Sequence, residues 1–383
     1  MSGVTAGVLR TALRRAFWIV LCGFLPAVAL YYAIGPAGDT DAVDFHYNYY
    51  LAAEAIRAGE TFYPTDGFIV RGADDLIVDY VYPPLVGLAT VPWTLIPIGT
   101  AAVLFQLLLV GVFVATLWLL GVRDWRCYGL AFLWPPVTDA IATGNISIPL
   151  GFAAAVAWVY RDRARFAGAA LGVSMAAKLF LWPLVVWLAA TSRLRAALWS
   201  VAVAVVVLAV SWAAVGFRGL RDYPELVGRL TDRMDERAYS VFALAVDLGA
   251  STGLAWALWL ALAVGLLAGC VVLARRGDDR RAFVLALAAA IAFSPIVWLH
   301  YFSLLLVAVA VVQPRLGPIW FLGLPLQLVV TTAVYNGSTF QTAAVLAVAA
   351  ATIGLALAPP SWWARGARRY ERSRAMTVIS SSS

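Results

Sequence analysis

Two charged side chains of this sequence stand in apolar or aromatic surroundings and are of types that carry chemistry. Asp44 opens the aromatic run Asp44-Phe45-His46-Tyr47, and Lys178, the only lysine of the chain, interrupts an apolar hairpin. A carboxylate can act as a general base towards a hydroxyl group, and a buried ammonium group can bind an anion. The two positions are therefore candidates for proton transfer and for anion binding.

Asp44 allows two interpretations. At helical spacing, Asp44, Tyr47, Leu51 and Glu54 fall on one side of a helix. In the first interpretation Asp44 caps an amphipathic helix at the membrane surface, because a carboxylate at a helix start accepts backbone N–H groups. In the second it is a general base at the boundary between water and membrane. The residue pattern leaves both open.

Lys178 is also open to two interpretations. A charge at the centre of a membrane-spanning helix costs about 2.5–3.5 kcal/mol on insertion scales, so it is expected to face the protein interior and to have a partner. One interpretation is a side chain that reaches back to the membrane surface. The other is an anion site, for which a lipid phosphate is the natural ligand at that depth.

Further polar and aromatic residues lie in the predicted outer turns. His300, Asp139 and Asn145 are candidates for a cavity, with a belt histidine and a simple turn as alternatives. Tyr82 precedes two prolines and is equally typical of an aromatic belt. Of the arginines in residues 216–252, Arg218 and Arg221 lie closest to the membrane and are the better phosphate ligands; the others are typical of a solvated, salt-bridged helix face.

The composition excludes a soluble enzyme, a disordered chain and a collagen-like fibre. The chain has 383 residues, of which 63% are hydrophobic and 13% charged, and its mean hydropathy is +0.84. Soluble domains contain about 45–50% apolar and about 25% charged residues. Three cysteines in apolar surroundings do not indicate a disulfide framework, and two distant histidines do not indicate a histidine-rich metal site. The sequence therefore predicts an all-α polytopic membrane protein.

Arginine clusters between the apolar segments predict the topology. Placing them in the cytoplasm puts both termini inside and favours twelve crossings, with the first at residues 16–35 and with residues 84–98 crossing only part of the membrane. Two long loops, at residues 36–83 and 216–252, then lie outside. Several hairpins are short, which predicts broken helices that end at an outer cavity.

Residues 1–360 form a single domain in this interpretation, and residues 361–383 form an arginine- and serine-rich cytoplasmic tail. Thirteen apolar segments can be drawn: 16–35, 84–98, 100–121, 127–142, 146–160, 166–177, 179–190, 197–215, 254–274, 282–297, 301–313, 318–334 and 340–358.

The sequence resembles glycosyltransferase family 87, a group of membrane mannosyltransferases of the GT-C type. The resemblance covers residues 44–301, and its individual motifs are short. They are Asp44-Phe45 with Tyr50, Ala52-Ala53, Gly59 and Tyr63; Tyr82-Pro83-Pro84-Leu85; Gly144-Asn145; Lys178; and Ser294-Pro295-Ile296 with Trp298 and His300.

The resemblance implies a fold and an activity. The fold is a GT-C-type bundle of about 12 transmembrane helices with two structured extracytoplasmic loops. The expected enzyme resides in the cell membrane and moves mannose from a polyprenyl-phosphate donor to a glycolipid or lipoglycan acceptor outside the membrane, with an α-1,2 linkage and inversion. Asp44 matches the family's catalytic aspartate, and His300 matches the histidine of its Ser-Pro-Ile motif.

The expected site has a base, a cationic patch and substrate contacts. Asp44 and His300 are the expected catalytic residues, and Lys178 with Arg218 or Arg221 is expected to bind the donor phosphate. The expected substrate-binding residues are Tyr47, Glu54, Tyr82, Asn145 and Trp298. No metal or other cofactor is expected, and the expected partners are the donor, the acceptor and membrane lipids, with no nucleic acid. Two alternatives are a transporter or flippase of lipid-linked sugars and a membrane scaffold without a reaction.

Overall fold

A computed structural model describes residues 2–34, 42–63, 80–234, 238–294, 296–330 and 338–359. Within these ranges every regular element is helical. The predicted tail at residues 361–383 and residues 64–79 of the first predicted outer loop lie outside the described residues. The fold class predicted from composition is therefore confirmed as all-α for the described part of the chain.

Seventeen α-helices lie in the described ranges, together with shorter π and 3₁₀ segments. In chain order the α-helices are α1 Ser2–Ile19, α2 Leu25–Ala33, α3 Leu51–Ala58, α4 Pro84–Thr90, α5 Ile98–Leu119, α6 Trp125–Phe132, α7 Pro135–Ala142, α8 Ser147–Val159, α9 Ala164–Ala177, α10 Trp182–Ala190, α11 Leu194–Ala214, α12 Tyr223–Met234, α13 Val241–Asp247, α14 Thr252–Arg275, α15 Asp279–Ala292, α16 Leu305–Val312 and α17 Thr339–Ala356. Val20–Phe24 and Asp44–Tyr50 are π-helical, and the 3₁₀ segments are Val91–Leu95, Leu299–Leu304, Pro318–Phe321 and Leu324–Leu328.

Five helical stretches among the described residues are long and apolar enough to cross a membrane, which requires about 20 residues. A sixth crossing results if α7 and α8, which meet at a bend of 119°, count as one broken span. The chain is thus a multi-pass membrane protein, and the count of twelve crossings stays a prediction. The five stretches are Gly7–Ala33, Ile98–Leu119, Leu194–Ala214, Thr252–Arg275 and Thr339–Ala356.

Several apolar segments of the sequence form shorter helices because proline interrupts them. The segment 127–142 divides into α6 and α7 at Pro135, whose ring fits the first turn of a new helix. In segment 318–334 the described residues, which end at 330, form two short 3₁₀ helices. Pro84–Leu95 is a short apolar helix with Pro92 at its α-to-3₁₀ change, in keeping with a partial crossing. Hydropathy therefore overestimated the regular length of these segments.

Close contact between α9 and α11 depends on two glycines four residues apart. A Cβ atom at Gly168 would lie 2.4 Å from Cβ of Trp199, and one at Gly172 would lie 2.6 Å from Cβ of Val203. Small residues at this spacing allow two membrane helices to approach closely. This contact fixes the end of α9, where Lys178 follows.

An ion-pair cluster around Asp279 joins three segments at the start of α15. The carboxylate of Asp279 accepts hydrogen bonds from Arg161 Nε at 2.9 Å, from Arg193 Nη2 at 2.9 Å and from Trp187 Nε1 at 2.8 Å. Arg193 also donates to Asp162 and thereby holds the pKa of that carboxyl below its usual range. The predicted inner arginine clusters therefore have structural partners here.

Candidate active site

A cavity of about 470 Å³ lies where the broken helices meet the predicted outer loops. Its volume is within the range of about 300–1,000 Å³ that is usual for ligand sites. It is lined by the π-helical segment before α3, the α9–α10 junction, α11, α12 and the segment between α15 and α16. Asp44, Lys178 and His300 are all among the lining residues, although 256 positions of the sequence separate the first from the last.

Asp44 lies at the start of the π-helix Asp44–Tyr50, and its carboxylate does not cap it. Instead, Asn48 Nδ2 donates to Oδ1 of Asp44 at 3.2 Å, and Asn145 Nδ2 donates to Oδ2 at 2.7 Å. The capping interpretation of Asp44 is therefore wrong. Two amide donors orient the carboxylate at the cavity wall, and a carboxylate has lone pairs beyond those two bonds.

The π-helical geometry also changes which residues accompany Asp44. Because a π-helix has more residues in each turn than an α-helix, Asn48 and not Tyr47 shares the face of Asp44 that lines the cavity. Leu51 is 40% exposed and is not among the described residues that line the cavity. The predicted common face of Asp44, Tyr47, Leu51 and Glu54 assumed α-helical spacing and is wrong for that reason.

Asn145 is held in one orientation by Ser147. Its Oδ1 accepts hydrogen bonds from Ser147 N–H at 2.8 Å and from Ser147 Oγ at 2.6 Å, which directs Nδ2 at Asp44. Gly144 has a φ of +70°, and a Cβ atom there would lie 2.7 Å from Cβ of Phe45. Only glycine therefore allows the turn before Asn145 to pack against the segment that carries Asp44.

Lys178 lies at the point where α9 ends in extended backbone. Its ammonium group donates a hydrogen bond to the hydroxyl of Tyr301 and lies 4.0 Å from the centroid of that ring. The rings of Tyr82 and Phe180 are 5.3 and 5.8 Å away. Aromatic rings attract a cation, and Lys178 lines the cavity beside these rings. The hydrogen bond to Tyr301 directs the side chain to the cavity wall, and its position relative to the membrane surface stays a prediction.

His300 belongs to the 3₁₀ helix Leu299–Leu304, which packs against α7. Its Nδ1 lies 3.2 Å from Oδ2 of Asp139 on α7. The side chain is 6% exposed, and Nε2 is buried without a hydrogen-bond partner among the described residues. His300 thus lines the cavity with one ring nitrogen paired and the other available.

The remaining predicted site residues divide into two groups. Tyr82 and Trp298 line the cavity, and Asn145 contacts Asp44. Tyr47, Glu54, Arg218 and Arg221 are not among the described lining residues. Arg218 Nε donates to the carbonyl of Val215 at 2.9 Å, and Arg218 Nη1 also donates to the carbonyl of Gly59. The substrate or phosphate contacts of these four residues stay predictions.

Sequence reasoning did not assign Asn48, and it placed Asp139 at the cavity, whereas Asp139 contacts His300 and is not among the described lining residues. Asn48 follows Asp44 by four positions, a spacing that signals a shared helix face, but α-helical periodicity favoured Tyr47 equally. The pairing of Asp139 with His300 spans 161 positions and has no local signal. The cavity wall also includes aromatic residues that the sequence did not single out, among them Trp182, Trp212 and Tyr223. Burial raises the pKa of Tyr223, so its hydroxyl stays protonated, and it donates to the carbonyl of Val81 at 3.0 Å.

The family model of glycosyltransferase family 87 matches residues 80–299, which is more than half of the chain. The chain belongs to glycosyltransferase family 87. A search of curated proteins and a search of solved structures each returned no match. The resemblance read from the sequence motifs is thereby confirmed at the level of the family.

Family membership makes the chain a membrane glycosyltransferase and does not favour the transporter alternative. The matched range includes Tyr82, Asp139, Asn145 and Lys178, begins after Asp44 and ends one residue before His300. The structure brings these two outlying residues to the same cavity as Lys178. Among the described residues, no group of three or more His, Cys, Asp or Glu side chains is arranged to hold a metal ion.

Proposed function

We propose that this glycosyltransferase moves mannose from a polyprenyl-phosphate donor to a cell-envelope glycolipid or lipoglycan outside the membrane, forming an α-1,2 linkage with inversion. The observation that supports this most is the position of Asp44, which two amide donors orient at the wall of a cavity that also presents Lys178 and His300. A base and cations in one cavity are what transfer from a phosphate-linked sugar needs.

Asp44 is the proposed general base. It accepts the proton of an acceptor hydroxyl while the oxygen of that hydroxyl forms a bond to the anomeric carbon. Asp44 is the only acid among the described residues that line the cavity. One carboxylate without a second one as nucleophile favours a single displacement, by analogy with inverting glycosidases, in which no covalent sugar intermediate forms.

Lys178 and His300 are the proposed partners of the departing phosphate. The bond between the anomeric carbon and the phosphate oxygen breaks, and its electron pair stays on that oxygen. Because polyprenyl phosphate is already an anion, it leaves without a proton, and positive charge nearby stabilises the transition state. The aromatic wall that includes Tyr82 and Trp298 supplies flat apolar surfaces against which a sugar ring can pack.

The proposal is tested with purified protein in lipid, radiolabelled polyprenyl-phosphate mannose and a membrane glycolipid acceptor. We compare the wild type with Asp44→Asn, which keeps the shape of the side chain and removes its basicity. Asp222→Asn is the matched control, because Asp222 is exposed and does not line the cavity. We expect transfer by the wild type and by the control, and loss of transfer with retained donor binding in Asp44→Asn.

Three outcomes contradict the proposal at different steps. Equal transfer by the wild type and by Asp44→Asn would show that another group takes the proton. Transfer by neither, across several acceptors and with bound donor, would show that the sugar or the acceptor class is wrong. Movement of intact donor across the membrane without transfer would favour the flippase alternative.

A further inference from the structure

The Asp139–His300 pair is a buried polar contact. Only His300 has a role in the proposed reaction. Asp139 Oδ2 lies 3.2 Å from Nδ1 of His300, and the two side chains are 14% and 6% exposed. Burying an ionised carboxylate is costly unless a counter-charge and hydrogen bonds compensate. The packing of α7 on the 3₁₀ helix Leu299–Leu304 brings the imidazole ring of His300 to this carboxylate.

The other ring nitrogen of His300, Nε2, is the atom of the pair that can bind a ligand in the cavity. His300 lines the cavity, and its Nε2 is buried with no hydrogen-bond partner in the described part of the chain. A buried polar atom without a partner is unusual in a folded protein and calls for an explanation. A ligand in the cavity that accepts a hydrogen bond would satisfy Nε2.

We propose that Asp139 is a positioning residue that holds His300 as an imidazolium, with Nδ1–H donating to Asp139 and Nε2–H directed into the cavity to the donor phosphate. This inference rests on the proposed function. When the bond between the anomeric carbon and the phosphate oxygen breaks, the electron pair remains on that oxygen, and Nε2–H stabilises it by a hydrogen bond. No proton leaves the ring, because the acceptor proton goes to Asp44.

Other charged or titratable groups near the pair come from several elements. Tyr301 follows His300, with ring centroids 5.0 Å apart. Asp44 from the π-helix and Lys178 from the α9–α10 junction line the same cavity. Tyr239 lies near Asp139, and burial, with the charge of Asp139 adding to it, raises the pKa of Tyr239 to about 12. Tyr239 is therefore neutral, and Asp139 is the acid in direct contact with the ring.

The charge and tautomer of His300 can be read directly because the chain has only two histidines, His46 and His300. The first experiment is nitrogen NMR of the full chain with ¹⁵N-labelled histidine in lipid, and His46→Gln assigns the signals. At neutral pH we expect both ring nitrogens of His300 to carry protons in the wild type. In Asp139→Asn we expect at least one of them to lose its proton, and in Asp222→Asn no change.

The second experiment is a double-mutant cycle on transfer of mannose. We expect Asp139→Asn to lower kcat roughly 10²-fold with little change in donor KM, since the lost interaction belongs to the transition state. Asp139→Glu should restore part of the rate. In a His300→Gln background, Asp139→Asn should cost little more, because a positioning residue acts through the ring that it holds.

Three results would overturn the inference. They are a neutral ring in the wild type, ring signals that do not change in Asp139→Asn, and equal costs of Asp139→Asn with and without His300. If Asp139→Asn fails to fold, Asp139→Ala, which also removes the carboxylate, takes its place and is read in the same way, and a neutral ring in the wild type overturns the inference without any variant. If the wild type transfers no mannose, the proposed function fails, while the ring signals still decide whether Asp139 holds His300 as a cation.

Discussion

Replacing Asn145 with alanine tests whether the orientation of Asp44 is needed for the reaction. Asn145 links two parts of the site, because its Nδ2 donates to Asp44 at 2.7 Å while its Oδ1 accepts from Ser147 N–H and Oγ. Alanine removes all three hydrogen bonds at once. The bond from Asn48 to Asp44, at 3.2 Å, is then the remaining amide contact that holds the carboxylate among the described residues.

The magnitude follows from the bond that is lost. A hydrogen bond to a charged group contributes about 1.5–3 kcal/mol, and each 1.36 kcal/mol is a factor of ten in rate, so we expect kcat to fall about 10- to 150-fold. Donor KM should change little, because Asn145 is not among the described residues that line the cavity with Lys178. The alanine variant also leaves Ser147 N–H without its acceptor, which costs about 1–3 kcal/mol of stability.

The assay is steady-state transfer of labelled mannose in lipid, with kcat and donor KM measured separately. Ser147→Ala is the matched control, since it removes the hydroxyl bond to Asn145 and keeps the backbone N–H bond. For this control we expect kcat to fall by less than about fivefold. Thermal unfolding in detergent separates a loss of folded protein from a loss of rate.

A folded Asn145→Ala variant with kcat within about threefold of the wild type would refute the reasoning, because a charged hydrogen bond is worth more than that. It would show that Asn48 alone orients Asp44, or that Asp44 is not the base. A variant that raises donor KM and keeps kcat would instead place Asn145 in substrate binding.

Two further predictions concern the phosphate site and the helix packing. Lys178→Met removes the cation and keeps much of the side-chain volume, so we expect donor KM or kcat/KM to worsen about 10- to 100-fold, measured at several donor concentrations. Tyr301→Phe, which removes only the hydroxyl partner of Lys178, should have a smaller effect; an equal effect would argue against a role for the charge. Gly172→Val places a Cβ atom 2.6 Å from Cβ of Val203 and should lower stability by about 1–3 kcal/mol, seen as a lower Tm in detergent. The same substitution at Gly265 on α14, where nothing lies within 4 Å, should leave Tm nearly unchanged, and an equal drop in both would contradict the packing argument.

The organisation of the site explains why a family match alone did not define it. The matched range stops short of both Asp44 and His300, and these side chains reach the cavity through different contacts. Asp44 is positioned by backbone bonds from its own N–H and from Phe45 N–H to the carbonyl of Thr143, at 2.9 and 3.2 Å. His300 is positioned by the 3₁₀ helix and by Asp139. Asp44 and His300 therefore reach the cavity from positions before and after the matched segment.

Composition and local pattern determined the class of this protein and part of its site. A chain with 63% hydrophobic residues and one lysine leaves few positions where a charge can have a function, so the sequence alone singles out Asp44 and Lys178. The residues of the predicted outer turns added His300, Asn145 and Tyr82 as candidates, and the motif resemblance added Trp298 and implied the role of His300. For Lys178 the physical reason is that burial of a charge in an apolar segment is costly wherever the segment packs; the roles of all these residues stay predictions.

Tertiary structure decided which of these residues meet. The amide of Asn145 reaches Asp44 across 101 positions, and Asp139 reaches His300 across 161. Local periodicity could not predict the π-helix at Asp44, which exchanged Tyr47 for Asn48 on the cavity face. Nor could hydropathy distinguish a straight span from the two helices into which segment 127–142 divides at Pro135. The physical reason is that a sequence pattern reports the environment of one segment, whereas a site is formed by side chains of several segments whose distances are set by long-range packing.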